Sequence, residues 1–170
     1  GKVVEKTGIK EGFVNVISRH TTTGVTINEC ESRLIDDIRL YFQRLAPPTD
    51  HYLHNDIHLR PQGEADSQKV VANGWDINDP EALQAWRDQE PFNAHSHLLS
   101  MMLGNSETIP VSDRFLGCNL TSGTTALLLL ICAAAQVADG NMVIGQWQSV
   151  MMIDFDGPRT RTVGVQIFGV

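Results

Sequence analysis

Runs of apolar residues that alternate with polar ones near both ends of the chain predict β-strands. Residues 12–28 carry β-branched and aromatic side chains among threonines, which predicts one or two strands with an interruption near Thr23–Gly24. Residues 142–155 and 160–170 predict two more strands. The turn sequence Asp156–Gly157–Pro158 lies between them, so we expect these two strands to form a hairpin.

Apolar residues at helical spacing after residue 28 predict an amphipathic helix with one buried stripe. The stripe consists of Leu34, Ile38, Tyr41, Phe42 and Leu45. Asn28 followed by Glu31 predicts a capping box at the start of this helix, and Pro47–Pro48 predicts its end.

The middle of the chain is polar and irregular from residue 50 to residue 91. Asp79–Pro80 predicts a capped helix that runs through Trp86. A second helix is predicted from about residue 95 or 96 to Leu103, where Gly104 ends it. A short strand at residues 109–111 follows.

Length and charge narrow the class of protein. A chain of 170 residues suits a single domain over residues 1–170, and its net charge of -7 argues against non-specific nucleic-acid binding. The apolar stretch at 126–138 is shorter than the roughly 20 residues that span a bilayer, so we expect no membrane association. Three cysteines without a CxxC pair predict free thiols and a cytoplasmic location.

Histidines in three short polar segments are the strongest chemical signal. His95 and His97 lie two residues apart, and His54 lies in a predicted loop. Histidine is the commonest metal ligand, which makes these three candidate ligands for a divalent ion, zinc or magnesium. In an extended segment His95 and His97 share a face, whereas on a helix they diverge by about 200°. The alternative is that one caps a helix while the other is exposed to solvent.

A second group of residues suits an anion. His20 precedes Thr21 and Thr22, whose hydroxyls can bind phosphate oxygens, although threonines are also ordinary strand residues. Arg159 and Arg161 can form a two-pronged phosphate clamp.

Each of these candidates also has a purely structural interpretation. The two arginines can instead pair with Asp154 and Asp156, as charges on a strand face commonly do. Glu29 is a cap or a general base, with the cap the more common role. A GxSxG elbow, a Walker loop and a GxGxxG fingerprint are absent from the sequence.

The order of these motifs resembles a known family. The segments that carry the resemblance are 20–29 (HTTTGVTINE), 93–98 (NAHSHL), 103–106 (LGNS), 109–111 (IPV), 145–148 (GQWQ) and 156–161 (DGPRTR). Together they resemble the YjbQ-like family of secondary thiamine-phosphate synthases.

The resemblance implies an α+β fold: a jelly-roll-like antiparallel β-sandwich core, two or three helices at its side, and assembly as a homotrimer. It implies a site for a divalent metal or a small phosphorylated metabolite. It also implies a weak activity that joins hydroxymethylpyrimidine diphosphate to thiazole phosphate. His20, Glu29 and Asp156 would then serve as catalytic or orienting groups, beside the histidine and arginine sets given above. A non-catalytic binding trimer and a metal-dependent hydrolase remain alternatives.

Three departures from the family pattern stand out. The strand and helix that family members usually carry before residue 12 are missing, so we expect the chain to be N-terminally incomplete. The stretch between His54 and Asn93 is longer than usual. Residues 114–138 form an atypical insertion, interpreted as a helical flap or, preferably, a translated intron.

Overall fold

The computed structural model describes residues 6–112, 131–133 and 141–170. The chain divides into two compact units, one formed by residues 1–47 and 95–170 and the other by residues 48–94. The assignment of residues 1–170 to a single domain stays a prediction. In the described part of the chain no helix is long and apolar enough to cross a membrane.

Seven strands and four α-helices occur in the described residues. The strands are β1 (Gly12–Ser18), β2 (Thr23–Glu29), β3 (Ser106–Ser112), β4 (Ile131–Ala133), β5 (Asn141–Met142), β6 (Gln148–Asp154) and β7 (Val163–Gly169). The helices are α1 (Ser32–Leu45), α2 (Glu64–Ala72), α3 (Pro80–Gln89) and α4 (Ala94–Leu103). Two short 3-10 helices cover Leu53–Asn55 and Ile57–Leu59.

The first unit contains two antiparallel sheets. The strand order is β5-β3-β1-β7 in sheet A and β2-β6-β4 in sheet B. Side chains from both sheets meet in one apolar cluster that includes Val14, Val25, Ile109 and Val150. The α+β prediction with antiparallel sheets is therefore confirmed, and the two sheets pack as a sandwich.

Strand β6 is buried on both faces. Val150 belongs to the cluster between the sheets, while Ile153, which points the other way, belongs to a second cluster. That cluster also contains Phe42 of α1 and Leu99 of α4, so these two helices cover the outer face of sheet B. Burial on both faces explains why residues 149–155 lack polar alternation.

The predicted hairpin around Asp156 is wrong. β6 pairs with β2 in sheet B, whereas β7 pairs with β1 in sheet A. The turn sequence is present, but the connection passes from one sheet of the sandwich to the other. The two strands predicted within residues 12–28 are confirmed, but the break lies at residues 19–22, and Thr23–Gly24, where it was predicted, begins β2.

The predicted capping box of α1 is also wrong. Asn28 remains in β2, paired with Ser149, so it cannot cap the helix. Glu31 is the N-cap itself, and its carboxylate accepts hydrogen bonds from the backbone N–H groups of Arg33 and Leu34. Phe42 is buried as predicted, but Tyr41 and Leu45 are exposed, so the buried stripe is narrower than expected.

The second unit contains α2, α3 and the 3-10 helices. Asp79 caps α3 with Pro80 in its first turn, as predicted. Arg60 organises this unit: its guanidinium pairs with Glu90 at 2.9 Å and lies 5.6 Å from the ring centroid of the buried Trp86. The sequence analysis missed α2, because Gly63 opens it without a side-chain cap.

Most of the atypical insertion lies outside the described residues. The strands that flank it pair directly, with Val111 opposite Met142 and Ser112 opposite Asn141. Residues 131–133 pair with β6. Cys30 is disulfide-bonded, so the expectation of free thiols is wrong for this cysteine.

Candidate functional site

The connection between β1 and β2 is fixed by hydroxyl groups. Ser18 Oγ and Thr23 Oγ1, both buried, lie 2.5 Å apart. Thr23 Oγ1 donates to the carbonyl oxygen of His20 at 3.1 Å, and Ser18 Oγ accepts from the N–H of His20 at 3.4 Å. Ser18 and Thr23 therefore hold the backbone around His20 in one conformation.

A buried ion pair organises the segment that follows β6. Arg161 donates two hydrogen bonds to Asp154, from Nε to Oδ2 at 2.8 Å and from Nη2 to Oδ1 at 2.6 Å. The side chains are only 7% and 1% exposed. Nη2 also contacts Thr22 Oγ1 at 3.3 Å and the carbonyl oxygen of Asp156 at 3.4 Å. This pair joins residues 154–161 to the β1–β2 connection, and its hydrogen bonds raise the pKa of Arg161.

Arg159 has a different environment from Arg161. Its Nη2 lies 3.4 Å from Asp156 Oδ2, and its side chain is half exposed. Each arginine thus pairs with one aspartate, as the structural interpretation of the sequence expected. Of the two arginines, Arg159 keeps its guanidinium at the surface, whereas Asp154 occupies one face of the Arg161 guanidinium. The two-pronged phosphate clamp stays a prediction.

Helix α4 is attached to sheet B by two buried serines. Ser96 Oγ donates to the carbonyl oxygen of Phe155, and Ser100 Oγ donates to that of Thr23, both at 2.6 Å. Gly24 follows Thr23, and a Cβ there would approach Leu103 Cδ1 to 2.9 Å, so glycine permits this close approach. The serines place the first turn of α4 beside the end of β6.

His95 lies in that first turn, beside Ser96. Its Nε2 lies 3.1 Å from Ser96 Oγ, while its buried Nδ1 finds no hydrogen-bond partner among the described residues. Burial lowers the pKa of the His95 imidazole, and the charge of Asp156 partly offsets that effect. His95 is therefore held in its neutral form near a carboxylate, which suits a group that accepts a proton.

Two of the predicted metal ligands, His95 and His97, lie on different faces of α4. The α4 helix begins at Ala94, so His95 and His97 leave its first turn about 200° apart. His54 belongs to the second unit, where burial and the charge of Arg60 lower its pKa. No group of three or more His, Cys, Asp or Glu side chains in the described residues is arranged to hold a metal. The assignment of His54, His95 and His97 as ligands stays a prediction.

Two other predicted residues stand apart from the cluster. Glu29 is paired with Gln148 at the far end of β2, and six residues of strand separate it from Thr23 by about 20 Å. Thr21 is exposed on the β1–β2 connection, next to the buried Thr22. The structure thus brings His20, Thr22, Arg161 and Asp156 together around Asp154 and leaves Glu29 outside.

The serines that position these groups were not predicted from the sequence. Ser96 and Ser100 are one helical turn apart among apolar residues, the spacing of a buried helix face. That spacing is the only signal that could have found them.

Comparison with known proteins identifies the family. A family model described as UPF0047 protein YjbQ-like matches residues 1–133 and 119–170 of the chain. The chain belongs to the YjbQ-like family. The two matched segments overlap inside the range of the predicted insertion.

The curated YjbQ-like relatives extend beyond this chain. A UPF0047 protein of Methanothermobacter thermautotrophicus is 30% identical over 167 residues, which cover 98% of this chain and 76% of the relative. The UPF0047 protein YugU of Bacillus subtilis is 22% identical over 98% of this chain and 81% of its own length.

Several solved structures share the fold of this chain. The hypothetical protein APE1520 from Aeropyrum pernix K1 superposes with a TM-score of 0.61 at 24% identity, over 99% of this chain and 82% of that one. An uncharacterized YjbQ/UPF0047 protein from Clostridium acetobutylicum superposes with a TM-score of 0.58 at 23% identity, over 98% and 83% of the two chains. At these identities the likeness concerns the fold alone.

Proposed function

We propose that Asp156, Arg159 and His95 bind a small phosphorylated metabolite, and that the chain has the weak thiamine-phosphate synthase activity implied by the family resemblance. One observation carries this proposal. The buried Arg161–Asp154 pair fixes the segment from which Asp156 and Arg159 project, and Asp156 acts on the charge of His95. A cation, a neutral imidazole and a carboxylate are thereby held on one rigid frame.

Each group has a chemical task in the proposed transfer. Joining hydroxymethylpyrimidine diphosphate to thiazole phosphate releases pyrophosphate, whose charge must be stabilised as it departs. The half-exposed Arg159 supplies a guanidinium for these oxygens. The carbon–oxygen bond to the diphosphate breaks as the thiazole nitrogen bonds to that carbon, so the nucleophile loses no proton. His95, neutral because burial lowers its pKa, orients a substrate group by hydrogen bonding, and the charge of Asp156 acts on the imidazole.

A divalent metal would stabilise the same diphosphate, but the described residues do not fit one well. His95 and His97 diverge on α4, and no step of the proposal passes through a metal. Elemental analysis of the wild type beside the His95→Ala/His97→Ala variant tests the ligand prediction directly. One divalent ion per wild-type chain, absent from the variant, would support the prediction that these histidines bind a metal.

The proposal also includes a homotrimer and a cytoplasmic location, as the resemblance and the cysteine usage suggest. The cytoplasmic location was inferred from predicted free thiols, whereas Cys30 is disulfide-bonded.

The deciding experiment measures thiamine phosphate formed from the two substrates, together with pyrophosphate binding, for three proteins. These are the wild type, Arg159→Ala, and the control Arg44→Ala, which removes an exposed arginine of α1. We expect Arg159→Ala to weaken pyrophosphate binding at least tenfold, and Arg44→Ala to leave it unchanged. Binding without turnover would favour the non-catalytic alternative. Equal binding by all three proteins would refute the proposed site.

A further inference from the structure

His20 has four polar atoms, and the protein engages three of them. Its N–H donates to Ser18 Oγ, its carbonyl oxygen accepts from Thr23 Oγ1, and its Nε2 accepts from the N–H of Thr162 at 2.8 Å. The fourth atom, Nδ1, makes no hydrogen bond within residues 6–112, 131–133 and 141–170. It is also absent from the buried unpaired atoms of those residues, which include His95 Nδ1. His20 Nδ1 is therefore open to a ligand or solvent.

The bond to Thr162 determines which nitrogen carries the proton. A backbone N–H is only a donor, so Nε2 must offer its lone pair. A neutral imidazole has one donor and one acceptor nitrogen, which leaves the proton on Nδ1. The ring is thus held as the Nδ1–H tautomer, with its single free polar group a donor.

We propose that His20 is a fixed hydrogen-bond donor that presents Nδ1–H to an anionic oxygen, of the phosphate class, in the bound metabolite. The identity of the ligand rests on the proposed function above, whereas the tautomer does not. This role is narrower than the catalytic role that the resemblance implies for His20. A general base needs a free lone pair on the imidazole, and the hydrogen bond from the N–H of Thr162 occupies the lone pair of Nε2.

The buried ion pair of Arg161 and Asp154 stabilises this geometry. Arg161 directly precedes Thr162, and its guanidinium is held by Asp154 and Thr22. The N–H that selects the tautomer therefore projects from a segment that is anchored on one side by Arg161 and on the other by β7. Arg161 acts here as a positioning residue.

Nitrogen-15 NMR of histidine-labelled protein reads the tautomer directly through long-range proton–nitrogen couplings. We expect His20 to show a protonated Nδ1 and an unprotonated Nε2 in the wild type and in Thr162→Ala, which keeps the backbone N–H. Thr162→Pro removes that N–H, and we expect the pattern to move toward the Nε2–H form. A protonated Nε2 in the wild type would overturn the tautomer assignment.

A matched set of variants tests the donor role by titration with inorganic phosphate and pyrophosphate. An asparagine amide lies near the position of Nδ1, whereas a glutamine amide lies near that of Nε2. We expect His20→Asn to bind within about threefold of the wild type, and His20→Gln and His20→Ala to lose about tenfold or more.

The outcomes separate the two proposals. A wild type that binds neither anion would contradict both the proposed function and the donor role, while the NMR result on the tautomer would stand. A wild type that binds, with a His20→Ala variant that binds equally well, would contradict the donor role alone.

Discussion

Arg159 and Arg161 are two residues apart but differ in burial. Arg161 is buried against Asp154 with two hydrogen bonds, and Arg159 remains half exposed beside Asp156. An exposed pair contributes little because water screens it, whereas a buried pair whose partner is lost leaves a desolvated charge behind. Stability should therefore depend on one pair and ligand binding on the other.

Asp154→Ala should destabilise the fold by about 3–5 kcal/mol, because the guanidinium of Arg161 stays buried without its carboxylate. Urea unfolding measures this change. Asp36→Ala is the control, since Asp36 pairs with Arg39 at 3.7 Å on an exposed helix face, and we expect at most about 0.5 kcal/mol. Similar decreases in the free energy of unfolding in both variants would show that the buried pair contributes no more to stability than the exposed pair.

The His95 imidazole should titrate below its ordinary value of about 6.5, because burial lowers its pKa in the folded state. The unfolded state then binds more protons, so this group's contribution to stability falls as the pH drops below about 6.5. Asp156→Asn removes a charge that raises the pKa, so the pKa should fall further.

Proton NMR of His95 as a function of pH checks both statements, with Asp36→Asn as a variant that should leave the titration unchanged. A pKa that rises in Asp156→Asn would contradict the assigned partner.

At the scale of residues, the sequence identified candidate site residues better than it predicted their burial and contacts. It paired the arginines with Asp154 and Asp156 as one of two interpretations, and it selected His20 and His95. It could not tell which arginine is buried, because that depends on the contact with Thr22, which is 139 residues distant along the chain. The resemblance implies a role for Glu29, although the length of β2 separates it from Thr23.

At the scale of elements, local signals were reliable and pairings were not. The Asp79 cap and the end of α4 at Gly104 were both correct, because each depends on neighbouring residues. The β6–β7 hairpin failed because a turn sequence does not specify which sheet the next strand joins. The capping box failed because the β2–β6 ladder extends past Asn28.

Removal of residues 114–138 should leave a folded protein. Ser112 and Asn141 are paired, so the deletion joins them through Asp113, Asp139 and Gly140, a loop length typical of hairpins. The shorter loop should stabilise the fold by up to about 2 kcal/mol, because its closure costs less conformational entropy. Loss of the pairing between β4 and β6 reduces this gain.

Thermal unfolding of the deletion variant tests this expectation beside a variant with a Gly/Ser segment of equal length at 114–138. Insoluble deletion protein would show that the insertion is part of the fold.

At the scale of the whole molecule, sheet A leaves apolar side chains uncovered within the described residues. Phe13 and Phe168 stack with ring centroids 5.1 Å apart on the face opposite the sandwich core, and each is nearly half exposed. Exposed apolar clusters of this kind commonly mark contacts between protein chains.

Light scattering coupled to size exclusion should therefore report a mass three times the 18.8 kDa of one chain, as a homotrimer requires. The mass should stay constant on dilution if the contacts are extensive. A mass of one chain at all concentrations would contradict the assembly expected from the family resemblance.

The two serines of α4 have a consequence for how this family can change. Ser96 and Ser100 reach carbonyl oxygens on two different segments, one after β6 and one at the start of β2. Insertion of one residue between them would rotate the second hydroxyl by about 100° and leave a buried carbonyl unpaired. Evolution can thus vary the composition of this helical turn more freely than its length.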